Sequence, residues 1–225
     1  MMQSIHDIDF SQLYIRHKQR AARPRSEAST WDQKAQKIAV GHLENSYTQA
    51  FLSAMDIGKT DTLLDVGCGA GAIAVLAAAK AKHVYALDYS KGMLDKLQAN
   101  ALHYDAHNIS TLCKSWEDSW SDVPICDVVV ASRSTLVEDM HMALTKLSAQ
   151  ARRHVYITYP ATTAFGTDPT INPAQNPELA TPSYLYILAI LLQQGIQAQL
   201  RFIGSNQCST GRNSDSRWAL IDWAV

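Results

Sequence analysis

The sequence predicts an α/β protein: a doubly wound, mostly parallel sheet of seven strands, with an antiparallel hairpin strand near the carboxyl end and a helical extension at the amino end. From residue 61 onward, short apolar runs alternate with helical patterns, which is the order of βα units in a parallel sheet. The first apolar run ends in alternating glycines, Gly67, Gly69 and Gly71. A chain of 225 residues is long enough to bury the core of one such domain.

Composition narrows the functional classes. The formal net charge of −1 gives no global field that would attract nucleic acid or an anionic membrane. The cysteines are far apart and lack CxxC or cysteine–histidine spacing, so we expect no metal site, and free thiols in a reducing cytosol. The amino-terminal residues are polar, unlike a signal peptide. The longest apolar run, residues 184–192, is too short to span a bilayer. We therefore expect a cytoplasmic protein without a membrane partner.

The amino-terminal region predicts two helices. Apolar spacing predicts the first over residues 7–20. The second is predicted over residues 31–55, capped by Ser29 or Thr30 and split by Gly41.

A basic stretch, residues 16–25, follows the first of these helices. It is either a solvated linker or a lid or nucleic-acid contact. We expect residues 1–55 to form a helical cap or lid and residues 56–225 to form the main domain.

The central part of the chain predicts regular βα units with right-handed connections. The predicted strands cover residues 62–66, 83–87, 109–113, 125–131 and 153–159, and the predicted helices cover residues 71–80, 91–103 and 136–150.

The carboxyl-terminal part begins with a proline-rich loop over residues 160–182. Loops of this length inside compact domains are usually functional or mobile. A helix over residues 182–194 is ended by Gly195. Two strands, residues 197–203 and 218–225, follow around a polar hairpin loop, residues 205–216.

Two acidic residues follow the pattern of a nucleotide site. Asp65 lies just before the glycines, and Asp88 ends the second predicted strand. Ligands bind at the carboxyl ends of strands in open α/β sheets, where an acid at the second strand binds ribose hydroxyls. Nicotinamide-dependent enzymes share this pair of features, so the pattern alone leaves the cofactor open.

In these residues the chain resembles the class I S-adenosylmethionine-dependent methyltransferases, which have a Rossmann-like fold. The resemblance covers about residues 45–225. The matching segments are Leu64-Asp65-Val66-Gly67-Cys68-Gly69-Ala70-Gly71, Ala86-Leu87-Asp88-Tyr89-Ser90 with Met93 and Leu94, and Cys126-Asp127-Val128-Val129-Val130-Ala131-Ser132.

The resemblance implies S-adenosylmethionine as the cofactor and S-adenosylhomocysteine as the product. The loop of residues 67–71, including Cys68, would pass under the cofactor. Asp65 would hold the methionine amino group, directly or through water, and Asp88 would bind the ribose diol. Tyr89 and Met93 would pack on adenine.

The loop after the third strand departs from the family pattern. Ser115 occupies the usual acid position, and Glu117 is its possible substitute. Trp116 either stacks on adenine or is an ordinary core aromatic residue.

Three further residues are implied near the cofactor. Ala131 and Ser132, at the end of the fourth strand, would lie near the methionine part and the methyl group. Trp31 would either close over the methionine end or anchor an amino-terminal helix to the core.

The sequence gives less information about the methyl acceptor. The segment after the fourth strand is Ala-Ser-Arg-Ser rather than the Asn-Pro-Pro-Tyr or Asn-Pro-Pro-Phe of amine methyltransferases, which argues against exocyclic amine methylation. Arg133 either pairs with a substrate carboxylate or phosphate or forms a surface salt bridge. A hydroxyl or carbon acceptor also needs a base, and the candidates are Tyr14, His17, His42, Tyr47, His141 and Tyr159.

The main hypothesis is therefore a methyltransferase with a small-molecule acceptor. The alternatives are an RNA or protein methyltransferase, a nicotinamide-dependent oxidoreductase, and a cofactor-binding scaffold without catalysis.

Overall fold

The computed structural model describes residues 4–21, 26–205 and 216–225. Short 3-10 helices occupy Ile5–Asp7 and Pro177–Leu179. The helices are α1 (Phe10–Arg20), α2 (Ala28–Gln36), α3 (Ser46–Ala54), α4 (Ala74–Ala78), α5 (Lys91–His103), α6 (Met140–Gln150) and α7 (Leu185–Gln193). The strands are β1 (Thr62–Val66), β2 (His83–Asp88), β3 (Ile109–Cys113), β4 (Cys126–Ala131), β5 (Ala151–Pro160), β6 (Gln199–Ser205) and β7 (Ser216–Ala224).

The strands form one sheet of seven, in the order β3-β2-β1-β4-β5-β7-β6. The neighbours from β3 through β5 are parallel, and β7 is antiparallel to both β5 and β6. The predicted fold class is therefore confirmed. The strand order reverses between β1 and β4, whose register pairs Asp65 with Val130. Such a reversal opens a crevice at the carboxyl ends of the strands, which is where open α/β sheets bind ligands.

An apolar core covers each face of the sheet because the strand side chains alternate between the two faces. Leu64 and Val129 contribute to one core, which α1, α6 and α7 complete. Leu63 and Val128 contribute to the other core, which α3, α4 and α5 complete.

The predicted split at Gly41 of the helical region over residues 31–55 is confirmed. Two helices, α2 and α3, lie there, with a non-helical connection between them. Ser29 and Thr30 lie inside α2 rather than at its cap. The connection between α2 and α3 leaves the helical conformation at Gly41, whose φ is +87°. The Gly41 N–H donates to the Asn100 amide oxygen on α5 at 3.0 Å, which holds the connection against α5.

Two predicted helices are shorter in the structure because an aspartate fixes the start of each. The Asp65 carboxylate accepts the N–H of Ala74 at 3.0 Å, at the start of α4. The Asp139 carboxylate accepts the N–H of Met142 at 2.9 Å, so α6 begins at Met140 rather than near residue 136.

The carboxyl-terminal hairpin is confirmed, since β6 and β7 pair antiparallel. Most of its predicted loop, residues 206–215, lies outside the described residues, as do residues 22–25 of the basic stretch. The proline-rich segment folds on itself through Thr181, which donates its hydroxyl to the Phe165 carbonyl at 2.7 Å. Within the described ranges, no helix is long and apolar enough to cross a membrane.

Candidate cofactor-binding and active site

The glycine loop leaves β1 at the crevice and turns toward α4. Gly67, Gly69 and Gly71 have φ angles of +69°, +53° and +88°, which glycine adopts without steric cost. The N–H groups of Gly67 and Cys68 both donate to the Leu87 carbonyl, at 2.7 and 3.0 Å. The loop is therefore fastened to the end of β2, and the Cys68 amide is already used.

The three glycines differ in what a side chain would meet. A Cβ atom at Gly67 would overlap Ser134, and one at Gly71 would lie 2.8 Å from Leu97. A Cβ atom at Gly69 would meet nothing within 4 Å in the described parts of the chain. The loop is thus packed at its two ends and open in the middle, where a ligand can approach the bare backbone.

Asp65 is a buried carboxylate with one unused oxygen. Its Oδ2 accepts the Ala74 N–H, whereas its Oδ1 has no hydrogen-bond partner among the described residues. Burial raises the pKa of Asp65 to about 7, and the negative charge of Asp88 adds to that rise. A buried carboxylate needs a donor or a cation to offset its desolvation, so this oxygen fits an ammonium ligand.

Asp88 lies across the loop from Asp65 and is also buried. Its Oδ2 accepts the Gly69 N–H and its Oδ1 accepts the Ser90 N–H, each at 2.9 Å. Burial raises the pKa of Asp88. A carboxylate oxygen has more than one acceptor site, so both oxygens can still accept a hydroxyl proton.

The start of α5 is covered by α2. The Asp32 carboxylate accepts the Ser90 hydroxyl at 2.6 Å and the Gly92 N–H at 2.8 Å. A Cβ atom at Gly92 would lie 2.9 Å from the Asp32 Cα, so this contact requires glycine. The Tyr89 hydroxyl donates to the Ser26 carbonyl at 2.6 Å. The segment from residue 26 into α2 is thus tied to the end of β2.

The predicted adenine and methionine contacts stay predictions. Met93 is buried at the first turn of α5, beside Asp88. Trp31 lies on α2, with the Lys34 ammonium 3.9 Å from its ring centroid. Because α2 packs against α5, Trp31 is placed on the side of Asp88.

The loop after β3 packs inward. Trp116 is buried, its ring centroid 5.4 Å from that of Trp120, in the core that α6 covers. The packing therefore supports the core alternative for Trp116. The Ser115 N–H donates to the Asp118 carboxylate at 2.7 Å, and Glu117 is exposed.

The end of β4 carries a hydrogen-bonded network that the sequence did not reveal. Ala131 is buried, and the next residue, Ser132, has its hydroxyl 2.7 Å from that of Tyr47. The Tyr47 hydroxyl is also 2.7 Å from that of Thr158, which accepts the Arg133 N–H at 2.9 Å. Tyr47 was predicted only as a possible base, and Thr158 was not predicted at all.

The tyrosine candidates for a base are poorly placed for that role. Tyr14 and Tyr159 are fully buried, and burial raises the pKa of each. Both hydroxyls therefore keep their protons at neutral pH. The Tyr14 hydroxyl donates to the Val137 carbonyl at 2.7 Å, which fastens α1 to the loop after β4. Burial also raises the pKa of Tyr47.

The histidine candidates lie apart from the glycine loop. His17 lies between the Tyr186 hydroxyl at 3.2 Å and the Pro177 carbonyl at 3.1 Å. Its Nε2 carries the proton because a carbonyl can only accept. His42 is exposed between α2 and α3, and His141 contacts Gln194.

The donor set fits a cationic nucleoside. The described residues contain no group of three or more histidine, cysteine or acidic side chains that could hold a metal ion. Two buried carboxylates on either side of an open glycine backbone instead match an ammonium group and a ribose.

The fold and the two buried carboxylates define an α/β protein with a candidate ligand site at the sheet edge, and comparison with known proteins gives the class of reaction. A family model described as a methyltransferase domain matches residues 63–155. An uncharacterized protein of Haemophilus influenzae is 38% identical over 226 residues, covering 99% of this chain and 84% of that protein.

Solved structures show the same fold. A SAM-dependent methyltransferase from Aquifex aeolicus aligns with a TM-score of 0.62 and 16% identity, over 89% of this chain and 100% of that one. The magnesium protoporphyrin IX methyltransferase of Synechocystis, with bound SAH, aligns with a TM-score of 0.54 and 15% identity, over 95% of this chain and 94% of that one. The family model and the shared fold together support a class I Rossmann-like, S-adenosylmethionine-dependent methyltransferase.

Proposed function

We propose that this methyltransferase binds S-adenosylmethionine across the glycine loop, between Asp65 and Asp88, and transfers its methyl group to a small-molecule acceptor. One observation carries the proposal: the unused Oδ1 of Asp65 and the half-used carboxylate of Asp88 flank the open backbone at Gly69. The bound cofactor supplies an activated methyl group, and S-adenosylhomocysteine is the product.

In this proposal the protein works mainly by positioning. Asp65 holds the ammonium group and Asp88 holds the ribose, so the sulfonium end is directed toward the end of β4. Displacement at a methyl carbon requires the nucleophile in line and close, and orientation can supply much of the rate enhancement. Burial of Tyr14 and Tyr159 leaves the base role to the acceptor itself or to solvent.

Three observations support a small acceptor. The crevice rim is built from the loop after β4, and α1 packs on that loop through Tyr14. The net charge of −1 provides no field for a nucleic acid. One structural neighbour acts on magnesium protoporphyrin IX, according to its name.

The thiols Cys68, Cys113 and Cys126 are free, which supports a reducing cytosol.

The test is thermal unfolding with S-adenosylhomocysteine, since a ligand that binds only the folded state raises the melting temperature. We expect a shift of several degrees at about 100 times Kd. NADH is the control and should leave the melting temperature unchanged. The proposal fails if S-adenosylhomocysteine gives no shift at saturation.

A further inference from the structure

Arg133 places a positive charge at the rim of the crevice. The residue follows β4 directly and is exposed. Within the described ranges its guanidinium forms no ion pair; it lies over the Tyr47 ring, with Cζ 4.5 Å from the ring centroid. This arrangement is not the surface salt bridge that was the alternative for Arg133.

Both the backbone and the head group of Arg133 are fixed. Its φ of +58° lies in the left-handed region, which is uncommon for residues other than glycine and clusters at functional sites. Its N–H is held by the Thr158 hydroxyl, and Thr158 in turn bonds the hydroxyl of Tyr47, the residue under the guanidinium. Thr158 therefore holds the backbone of Arg133, and Tyr47 contacts its guanidinium.

The position of Arg133 relates it to the proposed cofactor site. The adjacent residue, Ser134, donates its hydroxyl to the Val66 carbonyl at 2.7 Å and occupies the space beside Gly67. Arg133 thus lies above the crevice between β1 and β4. Burial raises the pKa of Tyr47. The positive charge of Arg133 lowers that pKa and the negative charge of Asp65 raises it, so both charges are close enough to act on Tyr47.

We propose that Arg133 binds an anionic group of the methyl acceptor, a carboxylate or a phosphate, and so selects acceptors that carry one near the nucleophile. This inference rests on the proposed function. A guanidinium that lies over a ring still has its N–H donors in its own plane, where they can bind a carboxylate or phosphate through two parallel hydrogen bonds. The carboxylate of the cofactor is the other possible source of the same chemistry.

The test is titration of benzoate and phenyl phosphate, with neutral benzamide as the comparison, into the S-adenosylhomocysteine complex, followed by NMR. We expect the wild-type complex to bind both anions with Kd of about 10 mM. Arg133→Asn should weaken this binding at least tenfold, and asparagine tolerates the positive φ. Arg152→Gln removes a charge at the amino end of β5 and is the matched control, which should bind like the wild type.

The remaining outcomes separate the possible failures. If the wild type binds neither anion, or binds benzamide equally well, the inference is overturned while the proposed function stands. Arg133→Asn could instead weaken the binding of S-adenosylhomocysteine but not the binding of 5′-methylthioadenosine, which lacks the amino-acid part. In that case Arg133 binds the cofactor carboxylate, and its assignment to the acceptor is wrong. If the wild type does not bind S-adenosylhomocysteine, the proposed function falls, and the inference falls with it.

Discussion

Single residues determine the charge of the proposed site. Asp65 and Asp88 are both buried, and burial raises the pKa of each. An unpaired buried carboxylate destabilises a protein, whereas a cationic ligand offsets the desolvation. The site is therefore arranged to gain from a bound ammonium group.

If Asp65 binds the ammonium group as proposed, cofactor binding should depend on pH. Because its pKa in the free protein is about 7, the carboxyl group is protonated below that value, and only the charged form attracts an ammonium group. We expect the affinity for S-adenosylhomocysteine to rise as pH increases through about 7, by up to tenfold per unit below the pKa. Calorimetry between about pH 6 and 8 measures this. Asp65→Asn should show a flat profile, and equal slopes in both proteins would contradict the assignment.

Asp88 should hold the ribose. Asp88→Asn removes the charge that strengthens the hydrogen bonds to the two hydroxyls, each worth about 1.5–3 kcal/mol when one partner is charged. We expect at least a tenfold loss of S-adenosylhomocysteine affinity in calorimetric titrations. Asp95→Asn makes the same change at an exposed position of α5 and should have no effect. Unchanged affinity in Asp88→Asn would remove the ribose role.

At the scale of elements, the glycine loop and α2 shape the site in different ways. The loop is held open in the middle and packed at both ends. The helix is docked on α5 through one aspartate and one close backbone contact.

Alanine substitutions at Gly69 and Gly71 should have different effects on stability and on ligand binding. In Gly69→Ala and Gly71→Ala the positive φ costs about 1–2 kcal/mol. Only at Gly71 does the new methyl group also clash, at 2.8 Å from Leu97 and Val75. We expect Gly71→Ala to lose more unfolding free energy in urea, and Gly69→Ala to lose mainly S-adenosylhomocysteine affinity. The reverse order would mean that the open side of the loop is not the ligand side.

Docking of α2 should depend on Gly92. In Gly92→Ala the added Cβ would lie 2.9 Å from the Asp32 Cα, and we expect α2 to separate from α5. Hydrogen exchange should then speed up in residues 28–36 while the strands stay protected. Gly58→Ala is the control because its added Cβ would lie 3.7 Å from the Asp61 carboxylate, an ordinary van der Waals distance. Unchanged exchange in α2 would show that other contacts hold it.

For the whole molecule, the amino-terminal helices belong to the same cores as the sheet. Tyr14 of α1 lies in one core, and Tyr47 and Phe51 of α3 lie in the other. The division into a cap of residues 1–55 and a main domain stays a prediction, and cooperativity of unfolding can test it.

We expect Phe51→Ala to lower the stability of the entire protein. Phe51 is fully buried, and such a truncation costs about 3–5 kcal/mol. Calorimetry should still show one transition, at a lower temperature. Leu102→Ala, at a side chain that is 77% exposed, should change little. A separate early transition in Phe51→Ala would instead show that the cap unfolds independently.

Local signals led to part of the site. The glycines, Asp65 and Asp88 were found because a strand end, a tight turn and a helix start are consecutive in the chain. Ser90 caps α5 in the same local way, since its hydroxyl accepts the Met93 N–H at 3.1 Å. These features depend on residues a few positions apart.

Distant contacts explain what was missed. Trp116 shows no sign in the sequence of its packing on Trp120 in the core. The split at Gly41 was predicted, but the partner of its N–H, Asn100, lies far along the chain. The spacing of Tyr47 and Phe51 at i and i+4 predicts a shared helix face but not its partners.

The sheet, the glycine turn and the two acids can be predicted from the sequence, because hydrophobic period, backbone freedom and strand-end position are local properties. The contact of the Arg133 guanidinium with the Tyr47 ring, the bond from the Arg133 N–H to Thr158 and the packing of α2 on the start of α5 are seen only in the folded protein. Those contacts join segments separated by many residues, and their energies depend on the three-dimensional packing that brings the segments together.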